Sequence, residues 1–168
     1  FKLRKISDAV LHSLTTKEIQ FFSSQESLQK LITAQKWSGA WPKSIDSDFL
    51  ALVSANLGGM KSDRYISRGV TYHFKIDENQ KENKKDLIGE ATVNLHHYGI
   101  ENIPLSGKYS GFLKIYVPRG AEMLEVTPEY QKDLWQKDDG LFHVFGNIVN
   151  LNPGQKTQLR YKYRLPAN

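Results

Sequence analysis

Hydrophobic positions change period along the chain. Leu3, Ile6, Val10 and Leu14 recur at steps of three and four, which predicts a short helix ended by Thr15 and Thr16. Lys17 to Ser23 (KEIQFFS) then predicts a strand with Ile19 and Phe21 on one face. Ser23 stands three residues before Glu26, the pattern of a capping box. Leu28, Leu31 and Ile32 follow at helical spacing, so a second helix is expected from about Ser24 to Gln35, closed by Lys36 to Gly39. Trp41-Pro42 and the polar residues to Asp48 predict a loop. Phe49 to Ala55 (FLALVSA) is a continuous apolar run, which predicts a strand buried on both faces and broken by Gly58-Gly59.

From Arg64 onward the period is two. Val70, Tyr72, Phe74 and Ile76 alternate with Thr71, His73 and Lys75, the mark of a half-buried strand. Asp77 to Lys85 is charged and polar and predicts an exposed, mobile connection. Ala91, Val93 and Leu95 alternate again, and Phe112 to Val117 (FLKIYV) predicts a strand stopped by Pro118 to Gly120. Phe142 to Phe145 and Ile148 to Leu151 predict two short strands split by Gly146-Asn147. Asn152-Pro153-Gly154 is a turn, and the residues from Thr157 to Leu165 give the cleanest alternation in the chain.

Short strands without intervening helices predict an antiparallel arrangement from about Lys61 to the end. The first sixty residues predict helix, strand, helix, strand. The expected fold is therefore α+β and mainly antiparallel β. A short N-terminal α/β segment (1–60), the end of a larger domain, precedes an immunoglobulin-like β-sandwich (61–168).

Composition narrows the chemistry. The 168 residues are 39% hydrophobic and 24% charged, which suits a folded core. The net charge of +5 is spread along the sequence without a basic run, so no nucleic-acid partner is expected. Without cysteine, disulfides, thiolate zinc sites and thiol catalysis are excluded. The longest uncharged apolar stretch, Phe49 to Met60, falls well short of the ~18 residues that span a bilayer.

Candidate sites are few. Gly58-Gly59-Met60-Lys61-Ser62 lacks the spacing of a phosphate loop and is expected to precede a strand rather than a helix. Asn56, Gly58, Gly59, Lys61, Ser62 and Asp63 are instead expected to shape a structural turn, in which the glycines allow positive φ. His96 and His97 are adjacent on a strand and point to opposite faces, and no H-x-H or H-x-x-x-H spacing joins any of the five histidines, so no metal is expected. The carboxylate pairs Asp46/Asp48 and Asp138/Asp139 lie in polar, turn-like contexts, and no G-x-S-x-G elbow occurs. No catalytic residue and no cofactor are expected. Trp37 and Trp41, with Arg160 and Lys162 from the last strand, form a possible ligand surface for sugars or an anionic polymer. For the cations, a solvated face or a charged edge that blocks strand pairing is the commoner role.

Several segments taken together resemble a known family. They are Lys17-Glu18-Ile19-Gln20 with the Gln29…Trp37-Ser38-Gly39 helix exit, the run from Asp48 to Asp63 (DFLALVSANLGGMKSD), and Tyr116-Val117-Pro118-Arg119-Gly120. Phe145-Gly146-Asn147, Pro153-Gly154 and Tyr163-Arg164-Leu165-Pro166 follow in the same order. The chain resembles the C-terminal part of the bacterial domain-of-unknown-function family 4012. Family sequences often carry glycine where Met60 stands, and Gly99 to Ser110 does not fit the pattern. The resemblance implies a membrane-anchored envelope protein with an extracytoplasmic body, an anchor N-terminal to this chain, and no catalytic residues to carry over. The expected function is a non-enzymatic extracytoplasmic scaffold, spacer or interaction surface. The sequence leaves the partner open between cell-wall glycan and another envelope protein. A module binding cell-wall glycan or anionic polymer is one alternative, and a fragment of a polymer-assembly enzyme with its active site elsewhere is another.

Overall fold

A computed structural model describes residues 2–16, 18–42, 44, 45, 48–59, 61–79 and 84–165. The chain divides into two compact units, one up to Lys43 and one from Ser44.

The first unit holds α1 (Lys2–Thr15) and α2 (Glu26–Ala34). The hydroxyls of Thr15 and Thr16 donate back to the carbonyls of Leu11 (2.8 Å) and His12 (3.0 Å) as α1 ends. The strand expected over residues 17–23 is not formed: its described residues are irregular, tied by the Phe21 amide to the Trp37 carbonyl at 2.9 Å. The expected capping box is also displaced. Gln25 is the N-cap of α2, while the Ser23 hydroxyl accepts the Gln25 amide and the Ser23 amide donates to the Gln29 side chain. The C-terminus of α2 is a Schellman motif. Lys36 takes a left-handed φ of 59°, its amide bonds Thr33, and the Trp37 amide bonds Ile32.

The second unit is built from eight antiparallel strands: β1 (Ala51–Asn56), β2 (Ile66–Asn79), β3 (Lys84–His97), β4 (Tyr109–Pro118), β5 (Glu122–Val126), β6 (Trp135–Asp139), β7 (Phe142–Leu151) and β8 (Lys156–Leu165). They form two four-stranded sheets, ordered β1-β4-β7-β6 and β2-β3-β8-β5. Alternate residues meet between them. Val93, Leu95, Leu159, Tyr161 and Tyr163 of the second sheet share one core with Leu113, Ile115, Val117, Phe145 and Val149 of the first. Each such side chain contributes about 1.5–3 kcal/mol on burial. The fold is α+β and mostly antiparallel β.

Four expectations change. β1 is an edge strand of the first sheet, half-buried rather than buried on both faces, so the boundary expected after residue 60 falls inside the β unit. The polar stretch after Ile76 is largely strand, since β2 and β3 pair from Ile66↔His97 to Asn79↔Lys84; residues 80–83 lie outside the described residues. Gly146-Asn147 does not interrupt β7, because both residues have places in the pleat described below. β5 and β6 carry no apolar alternation that would announce them.

Candidate interaction face

Register fixes which side chains share a face. Leu113, Ile115 and Val117 of β4 point inward with Phe145 and Val149 of β7, so Phe112, Lys114 and Tyr116 point outward with Phe142, Val144, Gly146 and Ile148. β1 adds Ala51, Val53 and Ala55 to this outer layer, and β6 adds Trp135 beside Gly146. The outer face of an antiparallel sheet is ordinarily polar. This one is aromatic.

Its geometry is specific. Phe112 and Trp135 meet edge to face with centroids 5.7 Å apart. A Cβ on Gly146 would stand 2.8 Å from the Phe112 ring and 3.2 Å from Trp135, so only glycine lets both rings settle there. Tyr116 meets Phe142 edge-on at 5.9 Å, and Phe49 meets Phe142 at 4.9 Å. The Lys114 ammonium sits 5.1 Å from the Phe112 ring centre, a cation–π contact. Phe142 and Val144 are buried within this layer, while Trp135 is 40% exposed and Ile148 48% exposed, so the layer reaches solvent at the Trp135 and Ile148 end.

The turn motif is placed as a structural device. The Asn56 side chain accepts the Gly58 amide at 3.1 Å, an Asx turn. Of the two glycines, Gly59 has the positive φ, at 65°. Lys61 opens a 3₁₀ turn (Lys61–Tyr65) that runs directly into β2. Ser62 is buried against the Lys108 carbonyl, and Asp63 pairs with Arg68, whose guanidinium also reaches the Tyr109 hydroxyl at 3.4 Å. Such a turn offers no α-helix N-terminus to an anion.

The histidines have structural partners or lie apart. Buried His97 accepts the Gly99 amide on Nδ1 and donates from Nε2 to the Gly107 carbonyl at 2.9 Å, which holds the loop after β3. His96, its neighbour, lies on the other face, as expected. His143 meets Asp138 at 2.6 Å through Nδ1 and the Gln136 side chain at 3.5 Å through Nε2, and Arg119 lies 3.5 Å from the same carboxylate. The bond from His143, helped by Arg119, holds the Asp138 carboxyl below its ordinary range. Asp139 follows Asp138 along β6 and so faces the opposite way. Asp48 accepts the Tyr72 hydroxyl, and Asp46 lies outside the described residues. Among the described residues no group of three or more His, Asp or Glu is placed to hold a metal ion.

The residues expected to form a ligand surface are divided between the two units. Trp37 and Trp41 belong to the first unit, and Arg160 and Lys162 to the second. Arg160 is bonded to Glu90 at 2.9 Å and Arg164 to Glu122 at 3.0 Å, while Lys162 stands in register between Glu90 and Glu125. The cationic strand is thus part of a balanced cross-strand ladder. The sequence reading missed the aromatic face, although FLKIYV carried its signal: a strand apolar on both sides, interrupted only by Lys114.

No protein-family model, curated protein or solved structure matches the chain.

Proposed function

We propose that the β unit is a non-catalytic interaction module that offers the aromatic outer face of its first sheet to a partner. The observation that carries this is the opening of that layer at Trp135 and Ile148, beside the half-buried Phe112, on the side of the sheet turned away from the core. Apolar area left open on a sheet face is costly in a free protein and is characteristic of binding surfaces. The titratable side chains described above point the same way, because His97, His143, Asp138 and Arg160 all have partners inside the fold.

The sequence resemblance adds a setting: an extracytoplasmic part of a bacterial envelope protein, tied to the membrane through a segment outside this chain. The partner is then another envelope protein. In layer architecture we take the unit as immunoglobulin-like, two antiparallel sheets over one core, an architecture that recurs with different strand orders. Here β3 lies beside β8 and β4 beside β7.

A cell-wall glycan is the second partner, favoured by the half-open Trp135 ring beside Phe112 and Lys114. Aromatic faces stack on the C–H faces of sugars. Two measurements separate the partners. A photo-crosslinking residue at position 148, compared in cells with one at position 158 on the other sheet, reports a protein partner. Calorimetric titration with soluble peptidoglycan fragments, repeated on Trp135→Ala, reports a glycan. Crosslinks from 148 alone support the protein, and W135A-sensitive heat supports the glycan. Neither signal, with glycan at millimolar concentration, sinks the proposal.

A further inference from the structure

Edge strands invite pairing with other chains, and folded proteins blunt them by shortness, charge, proline or bulges. Three of the four edges here are blunted. β1 has six residues. β5 has five and a register shift between Met123 and Glu125. β6 has five, with Lys137, Asp138 and Asp139 among them. β2 is different. It runs for 14 residues without proline, pairs with β3 without a register shift, and among the described residues has no strand on its other side.

The side chains make the difference sharper. Val70, Phe74 and Ile76 are 43%, 48% and 56% exposed, and Tyr72 stands between them on the same face. The pattern is symmetric about His73, with apolar residues at 70 and 72 on one side and at 74 and 76 on the other. The strand is entered through Arg64 and Arg68 and leaves through Asp77 and Glu78.

We propose that two copies of this chain associate through β2, antiparallel and centred on His73, to form one continuous eight-stranded sheet. In that register Tyr72 faces Phe74, Val70 faces Ile76, and position 68 faces position 78. The exposed apolar strip is covered by its own copy. A second copy is favoured over a foreign strand because the sequence is self-complementary when reversed. An edge pairing of this size is expected to be weak, in the micromolar range. It stands apart from the aromatic face, which belongs to the other sheet, so either proposal can fail alone.

The test is sedimentation equilibrium of the full chain from about 1 to 200 μM, a range that brackets such affinities. A monomer–dimer equilibrium is expected. The V70K/I76K variant places lysine against lysine twice and should weaken dimerisation at least tenfold. V70E/I76E should do the same, and mixing the two variants should restore a heterodimer. Both positions are exposed, so each variant should keep the wild-type circular dichroism and melting temperature. A chain that stays monomeric at 200 μM overturns the proposal, as does a dimer unaffected by either variant or a mixture that fails to recover.

Discussion

Alkaline pH should unfold the β unit through two tyrosines. Tyr161 and Tyr163 are 0% exposed, on the inner face of β8. Burial pushes both phenols above their ordinary value. In the unfolded chain they ionise near pH 10, as free phenols do. Above that pH the unfolded state binds fewer protons than the fold, so stability falls as pH rises. Below pH 10 both states hold the protons, and the contribution is fully present. One retained proton costs about 1.36 kcal/mol per pH unit, so two cost about 2.7, or about 4 kcal/mol by pH 11.5. That is a large share of the 5–15 kcal/mol typical of a domain. Tyr72, half-buried and also shifted upward by burial and by its bond to Asp48, adds a smaller, solvent-screened part. Urea unfolding at steps between pH 8.5 and about 11.5 measures the slope, and phenolate absorbance counts the tyrosines that ionise before unfolding. Tyr163→Phe should lower the slope by about 1.4 kcal/mol per unit. An equal slope in Y163F and wild type, or two further phenols titrating near pH 10 in the folded protein, would refute the reasoning.

Asn147 bridges the sheets: its amide donates to the Tyr130 carbonyl at 2.8 Å and its oxygen accepts the Tyr161 hydroxyl at 3.0 Å. Asn147→Ala strands both partners in the core and should cost about 3 kcal/mol in denaturant unfolding, while Tyr161→Phe should cost about 1–2. Gly146→Ala forces its new carbon against Phe112 and Trp135, and should cost about 1–3 kcal/mol and shift the tryptophan emission. Gly59→Ala should cost about 1 kcal/mol through its positive φ, whereas Gly58→Ala, with only ordinary contacts around the added carbon, should stay within about 0.5. Melting curves of the two glycine variants check that order.

Elements whose pattern matches their own burial were legible. α1, α2, the Pro153-Gly154 turn and β8 all follow from local period and turn chemistry. The misses share a cause, which is that pairing or packing with distant residues overrode the local pattern. β6 (WQKDD) is exposed at every residue and exists because it lies beside β7. The far ends of β2 and β3 are polar, yet they pair with each other from Ile76↔Leu87 to Asn79↔Lys84, so pairing rather than apolar period makes them strand. Gly146-Asn147 has the composition of a turn. Yet the glycine seats two rings on one face of β7, and the asparagine satisfies two buried partners on the other. At the start of α2, the Gln29 side chain captured the Ser23 amide, a bond that spacing alone does not reveal.

The candidate site was hidden for a related reason. A strand apolar on both sides reads the same whether its outer face is covered or open, and only the sheet order tells the two apart. The two outer faces of this unit differ in kind. On the second sheet, Glu90 with Arg160, Glu122 with Arg164, and Asn94 with Gln158 turn every second residue into a solvated, self-balanced ladder. The first sheet had the same positions available and fills them with Phe112, Tyr116, Phe142 and Ile148 instead. Both sheets bury the same kind of core, so folding alone does not demand the aromatic choice. Phe142 is already buried there and Phe112 and Tyr116 are half-buried, so the apolar area left for a partner to cover, on the proposed reading, is that of Trp135 and Ile148. Lys114, the cation seated against Phe112 within that layer, brings a charge to it without breaking the aromatic contacts.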